Sequence, residues 1–135
     1  MKNWGKFIIE TGVSSNDVSV KIKLGDDGNI WLSKIEIAQV YGVFYAAVSS
    51  NLRVMFKCGE LDERIHMKTI RYINNQGKEC QNELFNLEAI ISLGFRMKGA
   101  KCKLFRRWVA NKLSSPKGQN QIAYLFHLCD KGIHN

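Results

Sequence analysis

The chain has 135 residues, of which 45% are hydrophobic and 24% charged, with a formal net charge of +8; these are the proportions of a single globular domain that buries its core without disulfides or metal. No run approaches the roughly 18 apolar residues of a membrane span, and the apolar stretch in MKNWGKFIIETG is too short for a signal peptide, so a cytoplasmic protein with no membrane partner is expected. The charge is unevenly divided: residues 1–88 balance eleven Lys and Arg against eleven Asp and Glu, whereas residues 89–135 carry nine basic residues against Asp130 alone. The whole basic excess therefore lies in the last third, as in proteins that meet polyanions.

Cys58, Cys80, Cys102 and Cys129 are widely spaced and none forms a CxxC pair, which reads as free thiols rather than a zinc ribbon or a redox motif. Cys58 and His66 have no second close pair to complete a metal site, and no metal or cofactor is expected.

Along the chain, residues 1–17 suggest a short arm anchored by Trp4, Phe7, Ile8 and Ile9, followed by a polar loop. Val18, Val20, Ile22 and Leu24 alternate with polar residues as in a half-buried strand, and the turn Gly25–Asn29 is expected to return the chain through Ile30–Leu32 as a hairpin. Ser33 then caps a helix with an apolar face of Ile35, Ile37, Ala38 and Tyr41, ended by Gly42. A second helix is expected from Phe44 to Phe56, with Val48, Leu52, Met55 and Phe56 inward and Ser49, Ser50, Arg53 and Lys57 outward. A small residue at Ala38, a glycine at the corner and apolar residues at Val43, Val48 and Leu52 meet the needs of a helix-turn-helix, and plain helix packing meets the same description. Phe44 and Tyr45 stand where a recognition helix usually offers small polar residues to base edges; they are either core or exposed anchors for a protein partner.

Lys57-Cys58-Gly59-Glu60 reads as a helix stop. Thr69–Ile73 and Glu79–Phe85 flank a turn at residues 74–78 and predict a second hairpin, the wing of a winged helix, with Lys68, Arg71 and Lys78 near phosphates. Asn86 is expected to cap a helix that buries Leu87, Ile90, Ile91 and Phe95, Gly94 and Gly99 bracket a break, and Ala100–Leu113 forms the next helix. There Leu104, Phe105, Trp108 and Val109 share one face and Lys103, Arg106 and Arg107 the opposite one. With Arg96, Lys98, Lys101 and Lys112 they make seven basic residues and no acidic one between positions 96 and 112, where a merely solvated face would mix signs.

The run from Val20 to Leu113, 94 of the 135 residues, and above all IWLSKIEIAQVYGV, CGELDE, FNLEAIISLGFRMKG and FRRWVANKL, resembles the virulence-associated RhuM family of bacteria, itself similar to the N-terminal domain of phage and baculovirus Bro antirepressors. The resemblance implies a DNA-binding domain of the kind carried by mobile elements and followed by a variable C-terminal region. The chain departs from the family at Phe44-Tyr45-Ala46-Ala47, where relatives have a polar stretch.

The expectation is thus an α+β protein, a winged helix-turn-helix-like domain over residues 1–113 with β-hairpins and additional C-terminal helices. Residues 114–135 would form a linker with a short helix over 119–128, or the start of a region lying beyond this chain. Double-stranded DNA is the expected partner, with Ser49, Ser50 and Arg53 toward bases, Lys57 on the same DNA-binding face, and Arg96, Lys98, Lys101, Lys103, Arg106 and Arg107 toward phosphates. A homodimer is expected because two-fold operators are read by two-fold proteins. No nucleophile with its base, paired carboxylates or phosphate-cradling glycine loop appears, so an enzyme is not expected.

Overall fold

The computed structural model describes residues 2–12 and 17–115. Over these residues the chain is a mixed α+β domain with five helices and two small antiparallel sheets. One sheet pairs β1 (Lys6–Thr11) with β2 (Val18–Lys23); the other places β3 (Trp31–Leu32), β4 (Met67–Ile73) and β5 (Glu79–Asn86) in the order β3-β5-β4. The helices are α1 (Lys34–Tyr41), α2 (Tyr45–Lys57), α3 (Glu63–His66), α4 (Leu87–Arg96) and α5 (Ala100–Ser114).

The first hairpin differs from the sequence-based expectation. Residues 6–11 are a strand rather than an arm and loop, and β2 pairs with it from Lys6 opposite Lys23 to Thr11 opposite Val18. Phe7 and Ile9 point into the core while Lys6, Ile8 and Glu10 face outward. The turn at Gly25–Asn29 does form, with the Gly25 N–H donating to the Asn29 carbonyl at 2.8 Å, but it delivers the chain to the other sheet, where Trp31 pairs with Asn86 and Leu32 with Phe85. Competition explains the outcome, because β1 offers β2 six rungs and two inward apolar side chains, whereas Trp31–Leu32 has only two residues to pair.

Ser33 caps α1 as expected: its hydroxyl accepts the Glu36 N–H and the Glu36 carboxylate accepts the Ser33 N–H, a reciprocal capping box. Ile37, Ala38 and Tyr41 are buried, but Ile35 is 61% exposed, because its position in the first turn is about 160° around the helix from Ile37. Gly42 ends the helix at φ 62°, in the left-handed region that glycine reaches without strain, and its N–H bonds back to the last turn. After Val43 and Phe44, α2 begins at Tyr45, with Val48, Leu52 and Met55 buried. The tight corner and the small Ala38 bring the two helices together.

Asn86 is the cap of α4; its side-chain oxygen accepts the Ala89 N–H at 3.1 Å while its amide donates to the Ile65 carbonyl at 3.2 Å, so a buried polar side chain is satisfied at both ends. The buried side of α4 is Ala89, Ile90, Leu93 and Gly94. Phe95, expected inward, is 50% exposed and covers Phe105 from outside with ring centroids 5.8 Å apart. The break falls at residues 97–99, between Gly94 and Gly99 as expected; Gly94 itself lies within α4, where a Cβ would stand 2.5 Å from Tyr41 Oη and 2.7 Å from the Phe105 ring. Tyr41 Oη donates to the Ile90 carbonyl at 2.7 Å, and burial pushes its pKa far up. Phe7, Tyr41 and Phe105 meet at tilted and edge-on angles with centroids 5.7–6.2 Å apart, joining β1, α1 and α5 in one core. The linker beyond Ser115, the short helix expected over 119–128 and Cys129 lie outside the described residues.

Candidate nucleic-acid interface

The topology fixes what α2 can present. The chain runs β3, α1, α2, then through α3 into the β4–β5 hairpin, and β3 closes the sheet beside β5. Because α2 buries Val48, Leu52 and Met55, the 100° advance per residue turns Ala46, Ser50, Arg53 and Lys57 outward, all exposed. Ser49 is half-buried and sits in the groove between α2 and the sheet, so of the four residues expected on the outer face it is the one turned aside. Ser50, Arg53 and Lys57 are exposed and have no ion pair or side-chain hydrogen bond among the described residues.

The groove beside α2 has a volume of about 390 Å³ and mixes signs: Lys34, Arg53 and Lys57 face Glu63 and Glu83. Lys34 was not identified from the sequence. It is the first residue of α1 and half-buried, and periodicity describes which residues are buried, not which lysine a neighbouring hairpin will face. Across the groove the hairpin alternates, with Thr69, Arg71 and Ile73 sharing the face of Met67. The groove separates this hairpin from α2.

The expected basic face divides into engaged and free side chains. Arg96 is held by Glu60, Nη1 to Oε2 at 3.1 Å. Arg106 donates from Nη1 to the Gly94 and Met97 carbonyls at 2.9 and 3.0 Å, which satisfies carbonyls left open at the end of α4 and sets a cation against the negative end of that helix. These two bonds give Arg106 a structural role at the junction of α4 and α5. Lys112 lies over the Trp108 ring, 5.7 Å from its centroid. Lys98, Lys103 and Arg107 are exposed, and Lys101 half-buried beside Gly42; none has a partner among the described residues. Gly99, at the start of α5, abuts Val43 in the corner before α2, so Lys98 and Lys101 flank the entry to α2.

On the hairpin, Arg71 and Lys78 are exposed, but Lys68 is engaged. Its ammonium lies between Trp4 and Trp31, 4.3 and 4.1 Å from the ring centroids, and 3.7 Å from Asp27 Oδ2. Trp31 Nε1–H donates to that same carboxylate at 2.8 Å, and this bond, ahead of the Asn29 N–H and Lys68, holds the Asp27 pKa below the ordinary carboxylate value. His66 is buried; its Nδ1 accepts the Asp62 N–H at 2.9 Å and its Nε2 lies 3.0 Å from Glu88 Oε2, at ion-pair distance without hydrogen-bond alignment.

Phe44 and Tyr45 are the unsatisfied feature of this surface. Phe44 is 86% exposed and Tyr45 51%, so neither is a core residue. Among the described residues no helix is long and apolar enough to cross a membrane. Comparison of the chain with protein-family models, with curated proteins and with solved structures found no match.

Proposed function

We propose that the protein binds double-stranded DNA as a winged-helix-like domain of the RhuM and Bro-N type, acting as a regulator of the sort carried by phages and mobile elements. The observation that carries this reading is the exposed, unpaired row Ser50, Arg53 and Lys57 on α2, the helix that follows the Gly42 corner and precedes the β4–β5 hairpin. In this reading α2 lies along the major groove and the hairpin is the wing. Lys98 and Lys101, at the entry to α2, and Lys103 and Arg107 on α5 supply phosphate contacts. The mixed-sign groove beside α2 suits base edges, which carry both donors and acceptors, better than phosphates. The test is binding to a pool of random duplexes followed by sequencing of the bound fraction. An enriched motif that weakens in Arg53→Ala while overall affinity persists supports base reading by α2; enrichment unaffected by that change contradicts it.

The exposure of Phe44 favours a second reading, a protein-interaction module of a nucleoprotein assembly anchored on Phe44 and Tyr45. In that case Phe44→Ser with Tyr45→Ser abolishes a protein contact and leaves duplex affinity unchanged.

A further inference from the structure

Among the described residues β1 is paired on one edge only: β2 takes one side and no strand takes the other. An open edge presents unpaired N–H and C=O groups, a template for another strand unless something blunts it. β1 has six residues and no proline, and its open side borders a groove of about 400 Å³ whose far wall is α1 at Glu36, Gln39 and Val40.

The sequence of β1 specifies which strand fits. Paired antiparallel with a second copy about Ile8, the segment KFIIE sets Lys6 opposite Glu10, Phe7 opposite Ile9 and Ile8 opposite Ile8, and the two-fold axis repeats each pair. Opposite residues share a face, so the charged pairs and Ile8 stay on the outer face and Phe7 and Ile9 stay on the buried one. Moving the centre by one residue, to Phe7 or Ile9, loses both charge pairs, and placing the axis between residues sets buried positions against exposed ones. Ile8, 41% exposed in the monomer, would be covered by its own symmetry mate. Glu10, already 3.3 Å from Lys21 Nζ, would lie between that lysine and Lys6 of the second copy.

We propose that the protein forms a two-fold dimer through β1, giving a continuous four-stranded sheet β2-β1-β1-β2 with Ile8 on the axis. Lys101, assigned to DNA, lines the same groove, so the dimer is tested at Lys6, Ile8 and Glu10, none of which is assigned to DNA. The test is the mass in solution, by sedimentation equilibrium across micromolar concentrations, of the parent, of Lys6→Glu and of Glu10→Lys, each alone and the two variants mixed. The parent should approach twice 15.4 kDa. Each variant alone sets like charges opposite one another twice and should be monomeric, whereas the mixture restores two attractive pairs and should dimerise. Ile8→Asp, which puts two carboxylates on the axis and leaves Lys6 and Glu10 in place, should also be monomeric and decides the matter if either charge variant loses its fold. A monomeric parent, variants that dimerise alone, or a mixture of folded variants that stays monomeric would overturn the proposal.

Discussion

Arg106 and its neighbours on α5 show how far a charge differs from a contact. Lys103, Arg106 and Arg107 look alike in sequence, yet only Arg106 closes the end of α4 through the Gly94 and Met97 carbonyls. Arg106→Gln should therefore lower stability, by roughly 1–3 kcal/mol for the loss of charged hydrogen bonds, read as a shifted urea midpoint; Lys103→Gln with Arg107→Gln should leave that midpoint within about 0.5 kcal/mol. Gly94 is a second such residue. Alanine would gain roughly 1 kcal/mol of helix propensity, but its methyl would meet Tyr41 Oη and the Phe105 ring, and overpacking costs roughly 1–3 kcal/mol. A net loss in Gly94→Ala, smaller when Tyr41→Phe removes the hydroxyl, is the expected outcome of the same titration.

At the level of elements, the turn from Gly25 to Asn29 ties the β2–β3 connection to β4 through Asp27, Trp31 and Lys68. The Asp27 pKa lies below the ordinary carboxylate value of 3.8, so its contribution to stability is present above that value and fades as pH falls through the lower folded one. Asp27→Asn should flatten the acid limb of stability against pH, followed by Trp fluorescence, without altering the slope near neutrality. Four of the five helices were legible: α1 and α4 from their caps Ser33 and Asn86 and the left-handed corner at Gly42, and α2 and α5 from their apolar period, whereas the four residues of α3 are too few to show one. The β4–β5 hairpin was equally local, with its turn between two strands. The first hairpin was not, since Phe7-Ile8-Ile9 is a continuous apolar run that hides alternation, and strand pairing is decided by which partner offers the longer edge. Of the candidate site, the outward positions of Ser50, Arg53 and Lys57 on α2 followed from periodicity but the half-burial of Ser49 did not, and the engagement of Lys68, Arg96 and Arg106 depends on residues of other elements that no local pattern reveals.

At the scale of the whole molecule, the basic excess lies after residue 88, and among the described residues Ser50, Arg53 and Lys57 on α2 have no internal partners. Among the described residues Lys98, Lys103 and Arg107 are exposed and have no partner, and in the proposed reading they carry the electrostatic part, with Lys101, Arg53 and Lys57 adding to it. The measurement that bears most directly on DNA binding is the affinity of the protein for a duplex as a function of salt, by fluorescence anisotropy, for the parent and for the variant Lys98→Gln, Lys103→Gln, Arg107→Gln. With about 0.9 counterions released per contact, the parent should show log K falling against log salt with a slope of roughly −3 to −5, and the variant should bind all sequences more weakly with a slope flatter by about 2–3. A variant that binds duplex DNA as tightly as the parent, with the same slope, would contradict the account.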